Sequence, residues 1–291
     1  MTVLAPAHRT VHQIRLSRRL ASLTGWTLSA ACLLALSVLM VWILAVVCVR
    51  GLGAMKLSLL TTITQGSGGG LLNAIEGTLV LSGAALLLAV PFGVAAGIYS
   101  AEYRFTRWAT TIRFLADVLV GVPSIVVGYF GYVGMVEWLG WSFSVAAGSI
   151  ALAIISLPYI CRTTELALRQ VSNDLRDAAY SLGADDRRVI LGVCLPAALP
   201  SILTGILLAL AVSVGETAPL LYTAGWSNYL WDGHLTHSPI GYLTYAIWNF
   251  INEPFAAANA LAYAAALLVT GFVLIINITA RFVLDRRARR R

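Results

Sequence analysis

Residues Val171–Pro196 read VSNDLRDAAYSLGADDRRVILGVCLP and separate two long apolar segments, Phe143–Cys161 and Pro200–Thr223. Each apolar segment has close to the roughly 20 residues that one membrane-spanning helix requires. The charged stretch between them is therefore predicted to be a loop outside the membrane. A loop of this kind indicates an all-α membrane protein with several spanning helices.

The composition of the whole chain agrees with that class. Of the 291 residues, 59% are apolar and 11% are charged, and the mean hydropathy is +0.82. Soluble domains usually carry about 25% charged residues. Four further apolar stretches bring the number of predicted spans to six: Trp26–Val49, Gly77–Ser100, Phe114–Val136 and Pro254–Ala280. We predict one membrane domain, residues 26–285, between a cytoplasmic N-terminal segment, 1–25, and a basic tail, 286–291.

The basic residues are distributed unevenly over the loops. With the N-terminus inside, eighteen of the 20 Lys and Arg residues fall on the cytoplasmic side, and only Arg50 and Lys56 fall outside. Cytoplasmic loops accumulate positive charge, so both termini are predicted to be cytoplasmic and the loop Gly225–Glu253 external. The bilayer thus accounts for the net charge of +7, and nucleic-acid binding is not expected. The external loop is either an interfacial cap or a docking surface for an external solute-binding protein.

The sequence contains no recognisable catalytic or nucleotide-binding pattern. The run Gln65–Gly70 (QGSGGG) lacks the Lys-Ser/Thr pair that completes a phosphate-binding loop. The four cysteines form no C-x-x-C pair; they are Cys32, Cys48, Cys161 and Cys194. We therefore expect no catalytic residue, no metal site and no cofactor in this chain.

The loop Val171–Pro196 is predicted to contain two short helices. Asn173 or Asp174 can cap an amphipathic helix over 175–182, and Gly183 is typical of the residue just past a helix end. A second short helix follows, and Pro196 is predicted to end it. Such helices are either a peg that fits a groove of a soluble partner or a hairpin that lies on the membrane surface.

The spacing within this loop resembles the EAA motif of ATP-driven importer permeases. The motif corresponds to Asp177-Ala178-Ala179, three residues, Gly183, nine residues, Val193, one residue and Leu195-Pro196. The family pattern has Glu in place of Asp177 and Ile in place of Val193. The resemblance implies that the loop docks on an ATP-binding subunit and carries its motion to the membrane helices.

Three further runs resemble the PstA family, one of the two permease families of phosphate-specific importers: Gly121–Gly128 (GVPSIVVG), Leu157–Glu165 (LPYICRTTE) and Gly215–Thr223 (GETAPLLYT). The likeness covers about Gly70 to the C-terminus. It implies the MetI-like importer fold with six membrane helices, in the bacterial cytoplasmic membrane, and inorganic phosphate as substrate. Another oxyanion (sulfate or molybdate) and a signalling or scaffold subunit that senses transporter occupancy stay open as alternatives.

The resemblance also implies partners. They are a homologous second permease subunit, two copies of a cytoplasmic ATP-binding subunit, and an external phosphate-binding protein. ATP and Mg would be bound by the ATPase, so that this chain would be a transmembrane subunit and not itself an enzyme.

Charged residues within the apolar segments are candidates for the substrate pathway. A carboxylate at the centre of a spanning helix costs about 2.5–3.5 kcal/mol on insertion scales, so it normally faces a bundle interior or a water path. Glu216 and Asp117 are such residues; Asp117 either bonds a neighbouring helix or lines a path, and Glu216 is likewise either structural or part of a path. Arg162 is either a positive-inside anchor or a phosphate contact. With the resemblance, the candidate pathway residues are Arg162, Glu216 and Thr217.

Three prolines, Pro123, Pro158 and Pro219, are predicted to interrupt helices.

The position four residues before Glu216 differs from the family. PstA-type chains often carry Arg there, a helical spacing at which the Arg and Glu side chains can pair, but in this chain the residue is Val212. We therefore expect the second permease to supply the arginine that compensates Glu216.

Overall fold

The structure is a computed structural model that describes residues 8–288. This part of the chain is helical apart from its loops and one small β-hairpin. The elements are α1 (His8–Ala54), α2 (Leu57–Thr61), β1 (Thr64–Gln65), β2 (Gly68–Gly69), α3 (Leu72–Glu102), α4 (Arg107–Gly121), α5 (Ser124–Gly131), a π-helical segment (Tyr132–Trp138), α6 (Val145–Arg169), α7 (Asn173–Ser181), α8 (Asp186–Arg188), a second π-helical segment (Val189–Cys194), α9 (Leu195–Gly215), α10 (Ala218–Thr223), α11 (Leu243–Phe250) and α12 (Ala256–Ala288).

Five helical runs in the described chain are long and apolar enough to cross a membrane. They are Ala21–Ala54, Leu72–Glu102, Val145–Arg169, Asp186–Gly215 and Ala256–Phe282. Two further helical pieces, Arg107–Gly121 and Ser124–Trp138, follow each other with a bend of 99° and make a sixth span when the bent pair is counted as one broken span. The predicted all-α polytopic fold is confirmed, and the third predicted helix is broken rather than continuous.

The prolines do not all interrupt helices as predicted. The break in the third span lies at Val122 and Pro123, which both have extended backbone (ψ 126° and 134°). Pro219 lies in the first turn of α10, directly after a break. The prediction for Pro158 is wrong, because α6 runs through it without interruption. Neighbouring helices stabilise a proline-containing membrane helix by giving other partners to the freed backbone groups.

The helix α6 organises the unit that begins at Gly51, because it packs against α3, α9 and α4. Its buried face includes small residues, among them Ala147 and Ala151, which allow neighbouring helices to approach closely. The hydroxyl groups of Ser156 on α6 and Ser213 on α9 are 2.8 Å apart and form a buried hydrogen bond. The packing of α6 therefore fixes the relative positions of the helices that carry the candidate site residues.

The residues up to Arg50 form a unit of their own, built from α1. This helix has 47 residues and starts at His8, well ahead of the predicted start of the first span at Trp26. At 1.5 Å per residue it is about 70 Å long, more than twice the roughly 30 Å of a hydrocarbon core, so only part of it can cross a membrane. Residues 1–7 and 289–291, which include parts of both predicted terminal segments, lie outside the described residues.

The loop Gly225–Glu253 contains α11 and folds onto the first turns of α3. The amide Nδ2 of Asn73 donates to the carbonyl of Ser227 at 2.8 Å. The backbone N–H of Leu243 donates to the Thr78 hydroxyl at 2.9 Å. These hydrogen bonds hold the loop against one end of a membrane span.

Candidate functional site

The first helix of the predicted coupling loop is present as α7, Asn173–Ser181. Its cap position is Ser172, whose backbone is extended (φ −60°, ψ 144°). The predicted caps Asn173 and Asp174 lie inside the first turn instead, where the acid of Asp174 still suits the positive end of the helix dipole. The predicted helix end is confirmed, because Gly183 follows with φ +81°, a left-handed conformation that favours glycine.

The second short helix is not separate from the membrane helices. It begins as α8, where the Asp185 side chain accepts a hydrogen bond from the N–H of Arg188 at 3.0 Å. The chain then continues through the π-helical segment into α9 as one helical run, Asp186–Gly215. The break predicted at Pro196 is therefore wrong. The π-helical turn ahead of Pro196 shifts the backbone hydrogen bonds, so its missing N–H does not end the helix.

The N-terminal part of the EAA motif lies on the surface. Asp177, Ala178 and Gly183 are exposed, while Ala179 is buried. Leu182, next to the turn, is 89% exposed. These exposed residues make the turn after α7 an open surface of this chain.

The C-terminal part of the motif packs against the interior with two of its residues. Val193 and Leu195 are half-buried and pack against a buried cluster that includes Ala198 and Ile202. Pro196, the last residue of the motif, is exposed. One motif therefore links an open surface on α7 to the packing of α9.

A network of ion pairs surrounds Glu165 on α6, whose side chain is 2% exposed. Its carboxylate forms ion pairs with three arginines: Arg113 Nε at 2.6 Å, Arg169 Nη2 at 2.7 Å and Arg162 Nη1 at 3.0 Å. A buried carboxylate with three guanidinium partners is well compensated. The network fixes the start of the third span against α6.

Arg162, a predicted pathway residue, belongs to this network. Its Nε donates to Asp117 Oδ1 at 3.1 Å, and its Nη2 donates to the carbonyl of Arg113 at 3.3 Å. The alternative in which Asp117 bonds a neighbouring helix thus matches the structure, since Asp117 lies on α4 and Arg162 on α6. The Arg162 side chain is 30% exposed, so it is held by two carboxylates and still reaches the open side of the network.

Glu216 and Thr217 lie at the break between α9 and α10. The backbone of Glu216 is extended (ψ 135°), and its carbonyl accepts a hydrogen bond from Thr244 Oγ1 at 2.8 Å. Its half-buried carboxyl group lies close to the Ser124 hydroxyl at the start of α5. Arg162 pairs with other carboxylates, so the structure does not bring the three predicted pathway residues into one contact group.

The breaks in the third and fifth spans adjoin each other. The half-helices α5 and α10 pack together, and Gly128 makes this approach possible. A Cβ atom added at Gly128 would lie 2.5 Å from Pro219 Cα, a distance that no side chain tolerates. The two helix breaks therefore lie close to each other, with Ser124 at the first and Glu216 at the second. The half-helices α5 and α10 each begin at one of these breaks.

Sequence reasoning missed two sets of residues. The first set is Arg113 and Glu165. Arg162 and Arg169 lie three residues before and four residues after Glu165, a helical spacing that indicates ion pairs. Arg113 is far away in sequence, so no local pattern indicated its contact with Glu165. The second is the pair of Arg176 on α7 and Glu102 on α3, joined at 2.6 Å. The hydrogen bond to Glu102 raises the pKa of Arg176.

The loop Gly225–Glu253 is held together by its own side chains. Trp226 and Tyr245 stack with ring centroids 4.8 Å apart. Asp232 accepts hydrogen bonds from the N–H of His234 and from the Ser238 hydroxyl, and these bonds lower the pKa of Asp232. Within residues 8–288, no group of three or more His, Cys, Asp or Glu side chains is arranged to hold a metal ion.

Comparison with known proteins gives a family and close relatives. Residues 93–290 match the family of binding-protein-dependent transport system inner membrane components. The chain is similar to phosphate transport system permease protein PstA 2 of Mycobacterium tuberculosis (strain CDC 1551 / Oshkosh), with 41% identity over 99% of this chain and 95% of the relative. It is also similar to PstA of Yersinia pestis, with 45% identity over 81% of each chain.

Solved structures resemble this fold. A chain of the MetNI methionine ABC transporter in an inward-facing conformation matches with a TM-score of 0.62 and 18% identity, over 74% of this chain and 95% of that chain. A chain of an amino acid ABC transporter with histidines matches with a TM-score of 0.53 and 20% identity, over 75% and 94%. At this level of identity the likeness concerns the fold alone.

Proposed function

We propose that this chain is the permease subunit of an ATP-driven phosphate importer. It belongs to the PstA family of phosphate transport system permeases, which is part of the binding-protein-dependent transport system inner membrane components. The observation that carries this function is the 41% identity with such a permease over 99% of the chain. The alternatives, another oxyanion or a sensing scaffold, are not favoured, because the relatives described above are phosphate transport permeases.

This function predicts a specific uptake defect. A strain that relies on this transporter, grown with scarce phosphate, is expected to lose uptake of radiolabelled phosphate when the gene is deleted and to regain it from a plasmid copy. Sulfate and molybdate uptake, measured in the same cells, serve as controls and should not change. Loss of sulfate or molybdate uptake with phosphate uptake intact would move the assignment to another oxyanion.

The partners follow from the family. The inner membrane component of a binding-protein-dependent system works with an external binding protein, here one for phosphate, and with a cytoplasmic ATPase. We infer two ATPase copies and a homologous second permease that completes the membrane part. ATP and Mg would be bound by the ATPase, so this chain would contribute no cofactor site of its own.

The EAA loop is the proposed contact with the ATPase. The support is its exposed surface, formed by Asp177, Ala178 and Leu182, on a short helix that is attached to a membrane helix. An exposed apolar side chain on a helix is suited to a groove in a partner. Because α8 and α9 are continuous with the second half of the motif, a force on the loop would act directly on the fifth span.

The proposed substrate pathway includes Arg162, Glu216 and Thr217. Interrupted membrane helices are tolerated where the freed backbone lines a cavity or is buried in protein. The helix α5 begins at the first of the two breaks, and a helix N-terminus favours anions. The support for Arg162 is that its guanidinium group is held beside Asp117 and Glu165 while its side chain stays 30% exposed, and that arginine is well shaped for phosphate oxygens.

The proposed orientation has both termini in the cytoplasm of a bacterium and predicts a labelling pattern. In a chain with all four native cysteines replaced, Leu235→Cys is expected to react with a membrane-impermeant maleimide in intact cells, whereas Ser181→Cys is not. Both positions are exposed in this chain, so cells lysed in a denaturing detergent, which also removes the partner subunits, should label both and serve as the control. Labelling of Ser181→Cys alone in intact cells would invert the orientation.

A further inference from the structure

Arg176 ties three elements together at the cytoplasmic end of the molecule. Its Nη1 lies 2.6 Å from Glu102 Oε2, at the last residue of α3. Its Nη2 donates to the carbonyl of Leu168, in the last turn of α6, at 3.0 Å. The Leu168 carbonyl also accepts the N–H of Val171 at 3.3 Å, so the guanidinium group of α7 adds a charged donor to the end of α6 and pairs with α3.

This pair is well shielded from solvent. The Arg176 and Glu102 side chains are 19% and 12% exposed. Ion pairs in such an environment are screened less than surface pairs, and separating them leaves a charge that lacks a partner. The link between α7 and the ends of α3 and α6 is therefore stiffer than an ordinary surface contact.

The rest of α7 is attached mainly to another element. The helix packs on the π-helical segment Val189–Cys194. Ala179 supplies its buried apolar contact, within the cluster that also contains Val189. Arg176 reaches past this packing to α3 and α6, which share the most extensive helix–helix packing of the described chain.

The link continues beyond α3. Arg113 Nη2 donates to the carbonyl of Ser100, in the last turn of α3, at 2.6 Å, and Arg113 Nε pairs with Glu165. Glu165 in turn holds Arg162. The last turn of α3 therefore contacts α7 through the Glu102 ion pair and the network at the start of the third span through the hydrogen bond to the Ser100 carbonyl.

We propose that Arg176 and Glu102 are a positioning pair that transmits displacement of α7 to α3 and α6, and so couples ATP hydrolysis to phosphate movement. The inference rests on the proposed docking of α7 on the ATPase. It assigns the pair to transmission and not to docking, because both side chains are turned into the permease while Asp177 and Leu182 stay exposed.

The test uses the complete importer in proteoliposomes with the external binding protein present. ATP hydrolysis and uptake of radiolabelled phosphate are measured in the same vesicles for Glu102→Gln and Arg176→Gln. We expect each variant to keep its ATPase subunits and to hydrolyse ATP, while the phosphate transported per ATP falls by about tenfold, a typical coupling effect. The exchanged pair, Glu102→Arg with Arg176→Glu, should recover part of the coupling.

A matched control and a docking control separate the outcomes. Arg107→Gln removes one positive charge close to the end of α3, from an exposed arginine outside the ion pairs of residues 8–288, and should leave the ratio unchanged. Gly183→Trp tests docking: it should release the ATPase or abolish uptake, and normal assembly and uptake would reject α7 as the docking element. Wild-type ratios in both pair variants, or loss of the ATPase from them, would reject transmission through Arg176 and Glu102.

Discussion

Replacing Glu165 by glutamine is expected to destabilise the protein more than any other single removal of an acidic group described here. The carboxylate is 2% exposed and is the shared partner of three arginines. Without it, the guanidinium groups of Arg113, Arg162 and Arg169 would face one another around a neutral amide. Removing one partner of a buried ion pair typically costs about 3–5 kcal/mol, and the partial exposure of these arginines favours the lower end.

The measurement is the thermal midpoint of the purified protein in detergent, followed by fluorescence-detected size-exclusion chromatography. Glu137→Gln is the matched control, because Glu137 is exposed and hydrogen-bonds only the Tyr132 hydroxyl among the described residues. We expect a clearly lower midpoint for Glu165→Gln and a nearly unchanged one for Glu137→Gln. Equal midpoints for the two variants would show that the network contributes little to stability.

The parts of the fold that depend on local pattern were predictable from the sequence. Apolar length locates the spans, because a bilayer imposes a minimum helix length whatever the neighbours are. Gly183 marks the end of α7 for an equally local reason, since its left-handed conformation suits glycine. The EAA spacing identifies the loop, although its second helix proved to be continuous with α9.

The parts that depend on long-range packing were not predictable. Pro123 and Pro158 look alike in sequence, yet the chain breaks at the first and continues through the second. The difference lies in the surroundings: α5 packs on α10 through Gly128, whereas α6 is enclosed by three helices. The contact of Arg113 with Glu165 spans 52 residues, so no helical periodicity could indicate it.

The surroundings of Glu216 can be compared with the prediction that an arginine of the second permease compensates its charge. Glu216 is the first residue past α9, so the spacing to Val212 does not correspond to two positions on one helix face. Within residues 8–288, no ion pair joins Glu216 to a basic side chain. A partly buried carboxylate without a cation is unfavourable and would repel an anionic substrate. The prediction of a compensating arginine across the subunit interface therefore stands as a hypothesis.

We expect Glu216→Gln to reduce phosphate uptake by the assembled importer by about tenfold or more, because the partner's arginine would then lack its counter-charge. Replacing that arginine by glutamine as well should restore part of the uptake, since neither charge is then left alone. Uptake is measured in proteoliposomes, with Glu137→Gln as the control for removing an acid elsewhere in the chain. Normal uptake by Glu216→Gln, or a second permease without a basic residue at the depth of the α9–α10 break, would exclude the cross-subunit pair and leave Glu216 as a protonated, structural residue beside Ser124.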